Sequence, residues 1–219
     1  DLVDGNALVA CLQNHDQIGN RATGDRIGMQ AGMAAQRVGA ALLLTSPFVP
    51  LLFMGEEWAA STPFPFFADH EGDLAEAVRR GRLAEFEAFG WDPAEVPDPE
   101  DEATAAAAVL RWEERADGEH ARMLDWYRTL LALRADHPEL RYPRFSEVAA
   151  AWDAEARVPV VRRGDLTVVA NVGEAPVDVP VKPGTALALL AGSEPDVAVA
   201  DDTVHLGPMT VAVVAPAAG

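Results

Sequence analysis

The residues best equipped for chemistry lie in Gln13-Asn14-His15-Asp16-Gln17-Ile18-Gly19-Asn20-Arg21, where a carboxylate, an imidazole, a guanidinium and four amides crowd into nine positions. Such a cluster is able to grip the hydroxyls of a sugar. The five residues before it, Leu8-Val9-Ala10-Cys11-Leu12, read as a strand buried on both faces. Polar groups at the carboxyl end of such a strand stand where α/β barrels keep their chemistry. Without that context Asp16 serves equally well as an Asx turn or a helix-leading cap. Period-two alternation also sends Leu12, Asn14 and Asp16 to one side and His15 to the other, so His15 and Asp16 share a ligand only if the strand has already turned. A second set follows another apolar run, Val49 to Met54: of Glu56 and Glu57, one reaches the site and the other pairs with a buried arginine, while Trp58, Phe64 and Phe67 stack on a ligand or simply pack.

The elements that position these groups follow from spacing. Ile27, Ala31, Ala34, Val38, Ala41 and Leu42 recur at steps of three and four, which predicts a helix from Asp25 to Leu44. Strand, helix, strand is a parallel crossover unit. The segment from Gly55 to Gly118 is long for a connection. Within it we expect a helix over Asp73–Phe89, capped by Asp73 and broken near Gly81, and a short helix over Ala103–Glu114. His120, Met123, Leu124, Tyr127, Leu130, Leu131 and Arg134 mark a helix over Glu119–Asp136 that ends before Pro138. From about Arg141 the pattern becomes β-branched alternation, with Leu166, Val168, Ala170 and Val172 on one face, then Val177, Val179 and Val181, then Val211 and Val213. The fold class expected is α/β then all-β: residues 1–140 supply the last two β/α units of a (β/α)8 barrel and residues 141–219 a C-terminal antiparallel β-sandwich.

Composition narrows the partners. Seventeen Lys and Arg against 35 Asp and Glu give a formal charge of −18 over 219 residues, which repels nucleic acid and anionic membrane surfaces. Residues 69–119 hold 16 carboxylates and five arginines, a local net of −11 that reads as solvated loop and helix surface. The lone Cys11 excludes an internal disulfide and suits a reducing cytoplasm. No apolar stretch approaches a membrane span and no secretion signal is visible. Metal-binding spacings, Gly-rich phosphate loops and Gly-x-Ser-x-Gly elbows are missing, so neither metal nor cofactor is expected. The chain opens at Asp1 without an initiator methionine and reaches its first strand within ten residues, so we expect it to be the C-terminal part of something longer.

Gln13 to Arg21 resembles the fourth conserved segment of the α-amylase superfamily in the form carried by malto-oligosyltrehalose trehalohydrolases. Pro50-Leu51-Leu52-Phe53-Met54-Gly55-Glu56-Glu57-Trp58, then Ser61-Thr62-Pro63-Phe64 and Phe67-Ala68-Asp69-His70, look like its eighth barrel strand and loop. The likeness continues through Phe89-Gly90-Trp91 and Val96-Pro97-Asp98-Pro99 to Leu133-Arg134 and spans roughly residues 1–140. The resemblance implies a retaining glycoside hydrolase in which Asp16 is the third carboxylate, stabilising the positive charge that develops on the sugar ring. It implies substrate contacts from His15, Asn14, Gln17, Arg21, Glu57, Asp69 and His70. The implied substrate is malto-oligosyltrehalose or a related α-glucan, cleaved at the α-1,4 bond beside the terminal trehalose, with a functional link to malto-oligosyltrehalose synthase. The family's nucleophile and general acid match nothing here, so this stretch alone should not turn over substrate. Two other readings stay open: a glycogen branching, debranching or amylase-type relative, and a non-catalytic carbohydrate-binding fragment.

Overall fold

The computed structural model of the chain describes residues 4–142 and 144–217. Strands β1 (Val9–Ala10) and β2 (Val49–Pro50) pair in parallel, Val9 opposite Val49 and Ala10 opposite Pro50. Helices α1 (His15–Gly19) and α2 (Ile27–Leu44) lie between them. This is the parallel crossover that the two apolar runs imply. The strands are shorter than expected, and Leu8, Val9, Val49 and Leu51 are exposed where burial on both faces was expected. Among the described residues β1 and β2 pair only with each other, so no further strand extends either edge.

Helix α2 is interrupted at Gly32, whose φ of 83° and ψ of 160° leave the helical region and suit only glycine. Beyond that kink Val38, Ala41 and Leu44 turn one face inward. Helix α3 (Gly72–Ala88) differs from expectation in two ways: it runs unbroken through Gly81, and Glu71 rather than Asp73 takes the cap position. A single glycine costs a helix only about 1 kcal/mol, which the buried Ala75 and Phe86 on the same helix offset. The helix expected over Ala103–Glu114 is two pieces, α4 (Glu102–Ala107) and a 3-10 turn at Trp112–Ala116. Helix α5 (Gly118–Asp136) forms where its stripe predicts, and Pro138 then starts α6 (Pro138–Arg141) from the first helical position, where its missing N–H goes unneeded.

The remaining strands are β3 (Val148–Asp153), β4 (Val158–Arg163), β5 (Leu166–Asn171), β6 (Val177–Pro180), β7 (Leu187–Gly192), β8 (Ala198–Ala200), β9 (Thr203–Leu206) and β10 (Thr210–Pro216). They form an antiparallel five-stranded sheet in the order β3-β4-β5-β10-β7 and a three-stranded sheet in the order β6-β9-β8. Alternation along β5 and β10 divides the core. Val169, Ala212 and Val214 meet Val181, Val197, Val204 and Leu206 between the two sheets. Leu166, Val168, Ala170, Val211 and Val213 face the other way, onto Ala40, Ala41 and Leu44 of α2 and Met123, Trp126 and Leu130 of α5. Both faces of the large sheet are therefore covered, which is why every residue of β5 is buried.

Guanidinium groups complete the joint between helices and sheet. Arg163 of β4, itself buried, donates to the carbonyls of Thr45 (2.9 Å) and Tyr142, and Arg134 donates to those of Leu44, Ser46 and Phe48 at 2.7–2.8 Å, satisfying the open end of α2. Arg37 bridges Glu119 of α5 and Glu194 after β7, and Arg122 binds the same two carboxylates. Because Leu130 is fully buried in the core shared by helices and sheet and Leu131 is 42% exposed, Leu130→Ala should cost about 2–5 kcal/mol in chemical denaturation and Leu131→Ala about 0.5 kcal/mol or less. Equal losses would disprove the packing described.

Candidate active-site rim

The polar cluster turns into α1 directly after β1. Asn14 caps that helix: its Oδ1 accepts the N–H groups of Asp16 (2.8 Å) and Gln17 (3.3 Å), while Gln17 Oε1 accepts the Asn14 N–H at 2.9 Å. This reciprocal cap ends the extended backbone before His15, so strand alternation no longer separates His15 from Asp16. Their side chains share one side of the first turn, Nε2 of His15 lying 3.3 Å from Oδ1 of Asp16, and both stand in solvent at 70% and 67% exposure. Asn14 and Gln17 spend their oxygens on the cap. Their amide N–H groups are the donors left for a ligand.

Gln17 and Arg21 line one cleft of about 230 Å³ with Leu12, Asp25 and Gln30. Arg21 reaches Asp25 at 3.5 Å, and Thr23 holds the other oxygen of that carboxylate at 2.8 Å. Asn20 points elsewhere, accepting from Arg82 of α3, which also donates to the Gly19 carbonyl at 2.7 Å.

After β2 the chain divides the two glutamates. Glu56 is wholly buried, with Oε1 accepting from the Tyr127 hydroxyl at 2.8 Å. Burial pushes its carboxyl above the ordinary range, against the hydrogen bonds of Tyr127 and Gln13. Burial, then the Glu56 charge, drives the Tyr127 phenol far above its usual value. Gln36 donates to the Glu56 carbonyl at 2.7 Å. Arg26, also buried, donates from Nη1 to the Met54 carbonyl (2.8 Å) and from Nε to that of Thr62. Glu57 is half-buried and no side-chain hydrogen bond engages it among the described residues. Glu56 is thus the structural glutamate, and Glu57 is the one whose carboxylate stays available. A cavity of about 290 Å³ behind this rim is lined by Gln13, Arg26, Met29, Met33, Glu56 and His120, among others.

The rim continues through Phe64 to His70. Asp69 is exposed, and His70 is tied back, its N–H donating to Glu100 at 2.8 Å and its ring 3.6 Å from the same carboxylate. Trp58 is buried against Trp112 rather than presented to a ligand. The two loops meet at Gly24. Its φ is +73°, the Phe64 N–H donates to its carbonyl at 2.8 Å, and a Cβ there would lie 2.2 Å from the Pro65 nitrogen. Sequence reasoning missed Gln13, Arg26 and Gln36 as the buried frame of this rim. The expected pairing of a glutamate with a buried arginine does not form among the described residues: Glu56 pairs with Tyr127, and Arg26 spends its donors on the Met54 and Thr62 carbonyls.

A short parallel strand pair, a rim of carboxylate, imidazole and guanidinium groups at its carboxyl end, and a following β-sandwich have the arrangement of the closing part of an α-amylase-type barrel fold with its C-terminal domain. The solved structures agree. A crystal structure of a candidate α-amylase from Salmonella typhimurium superposes with a TM-score of 0.80 at 37% identity, over 97% of this chain and 36% of that one. An α-amylase from H. orenii shares the fold at a TM-score of 0.57 and 19% identity, over 95% of this chain and 40% of that one. Residues 143–213 match the family described as a domain of unknown function, DUF3459. Malto-oligosyltrehalose trehalohydrolases from Rhizobium sp. (strain M-11) and Arthrobacter ramosus are 46% and 48% identical, over 94% and 83% of this chain and 34% and 31% of theirs. Over most of its length the chain is similar to the C-terminal portion of malto-oligosyltrehalose trehalohydrolases, and it spans about a third of the length of the curated relatives it matches.

Gly24→Ala should cost about 1–3 kcal/mol and more than Gly32→Ala, since both have positive φ but only Gly24 meets neighbouring backbone. Equal melting-temperature shifts would mean that the loops do not touch as described. Glu56 makes a second prediction. A carboxyl whose protonated form folding favours contributes fully below the unfolded value and loses its contribution as pH rises through the folded one. Wild-type stability relative to Glu56→Gln should therefore fall over the range from the ordinary carboxyl value, about 4.3, up through the raised folded one. A constant difference across that range would show that Glu56 does not titrate there.

Proposed function

We propose that this chain completes a retaining glycoside hydrolase which cleaves the α-1,4 bond next to the terminal trehalose of malto-oligosyltrehalose and releases trehalose. The observation that carries the reading is the pairing of His15 with Asp16 on one exposed helical turn, opening from the carboxyl end of a parallel strand. In this role Asp16 accepts hydrogen bonds from the ring hydroxyls of the sugar at the cleavage point and opposes the positive charge of the transition state, while His15 donates to a hydroxyl of the same ring. Gln17 and Arg21 contact the trehalose end from their shared cleft. Glu57, Asp69 and the remaining donor of Asn14 add contacts, and His70 presents whatever face Glu100 leaves open.

Residues 1–140 serve as the end of the barrel and residues 141–219 as the appended β-sandwich. The exposed strip of Leu8, Val9, Val49 and Leu51 is the surface that further barrel strands would cover. The nucleophile and general acid then belong to that further chain, so the present residues alone are inactive. The partners proposed are malto-oligosyltrehalose and related α-glucans, with a functional link to the synthase that makes the substrate. No helix among the described residues is long and apolar enough to cross a membrane, and the charge of −18 disfavours nucleic acid; the compartment proposed is the cytoplasm. In the full-length protein Asp16→Asn should lower trehalose release from malto-oligosyltrehalose about 100-fold or more without changing thermal stability. Near-normal turnover would remove the role given to Asp16, and chain shortening without trehalose would favour an amylase-type reaction instead.

A further inference from the structure

We propose that Phe67 is a stacking platform for a glucosyl ring of a neutral α-glucan, beside the turn that carries His15 and Asp16; this rests on the glycosidase reading above. Phe67 is 39% exposed, a large apolar ring left in water at the rim. Its position is not loose. The ring lies 5.6 Å from Phe64 at 69°, and Phe64 lies 5.1 Å from Phe53 at 76°, each an edge-on contact of the favoured kind. Phe53 in turn carries the buried Arg26 guanidinium 5.4 Å from its centroid. A ladder of rings thus runs from the core to the surface and ends in Phe67.

The backbone on either side is fastened as well: the Phe64 N–H to the Gly24 carbonyl, and the Ala68 N–H to the Pro99 carbonyl, both at 2.8 Å. A ring already held this way loses little freedom when it binds, so its contact area converts efficiently into affinity. The same segment passes the end of α1, where a Cβ on Gly19 would lie within 3.8–3.9 Å of the Phe64 and Phe66 backbone. Helix α1 is five residues long, about 7.5 Å, so the Phe64–Phe66 backbone that leads into Phe67 passes within the length of one short helix of the His15–Asp16 turn.

The chemistry selects the ligand. A phenylalanine face offers no hydrogen bond and favours the C–H face of a pyranose, while Asp69, two residues on and exposed, can take the hydroxyls at the ring's edge. The net of −11 over residues 69–119 disfavours a phosphorylated or otherwise anionic sugar. Phe66 is also exposed, but its ring carries the Arg82 guanidinium at 4.6 Å and acts as a buttress for α3.

The test compares full-length variants on malto-oligosyltrehalose. Phe67→Ala and the volume-keeping Phe67→Leu should each raise KM about 5- to 10-fold with little change in kcat, and Phe67→Trp should restore KM to within about 2-fold. Unchanged KM in the folded Phe67→Leu variant, or a fall in kcat and melting temperature alone, would overturn the platform. Asp16→Asn run in parallel separates the two ideas: lost turnover there with normal KM in Phe67→Leu refutes only Phe67, whereas full activity of Asp16→Asn refutes the underlying reading.

Discussion

Burying a guanidinium strips its water, and the Arg26 side chain recovers hydrogen bonds only where backbone carbonyls are brought to it. Those carbonyls belong to Met54 and Thr62, the two ends of the turn that carries Glu56 and Glu57. The same side chain sits over Phe53, from which the ring ladder to Phe67 begins. Arg26 itself is held at the start of α2, where the Ile27 N–H donates to the buried Gln13. One desolvated cation therefore fixes the loop after β2 against the loop after β1. Desolvation lowers the guanidinium pKa, and the neighbouring carboxylates Glu56, Glu57 and Glu114 oppose that lowering only in part.

The β-sandwich is tied to that frame through α2 rather than through the rim. Helix α2 ends in carbonyls with no helical partner, and Arg134 of α5 and Arg163 of β4 donate to them. Arg37 on the same helix reaches Glu194 beyond β7. The large sheet then lies flat on α2 and α5 through Val168, Ala170, Val211 and Val213. A helix fixed at both ends and along one side cannot shift its N-terminal turn freely, except at the Gly32 kink.

Legibility followed the scale of the interaction. Period-two alternation in Leu166–Val172 and the stripe from Met123 to Leu130 report burial that is local to an element, and both are plain in the chain. Domain-scale likeness in Gln13–Arg21 pointed to the rim. What stayed hidden depended on partners distant in sequence: Arg26 finding Thr62, Tyr127 finding Glu56, and the clamp of Pro99 on Ala68. Gly81 and Gly32 show the same limit in reverse. Both are glycines within helical pattern, yet only Gly32 takes a positive φ. At His15 the condition set by alternation is met: β1 ends at Ala10, two residues before the apolar run does, and the Asn14 cap starts α1 so that His15 and Asp16 lie together.

Exposure of Asp16 bears on how the proposed chemistry is divided along the polypeptide. A carboxylate that is two-thirds in water acts on a nearby charge through a high dielectric, where its effect is a small fraction of what it would be in a closed cleft. The cap from Asn14 and Gln17 supplies orientation, and the buried network around Arg26 supplies rigidity. Neither supplies dryness. On the proposed reading, the walls that exclude water come from the strands covering Leu8, Val9, Val49 and Leu51, and from the substrate itself lying on Phe67. Preorganisation resides in these residues, whereas the electrostatic strength of Asp16 arises only when that cleft is closed around it.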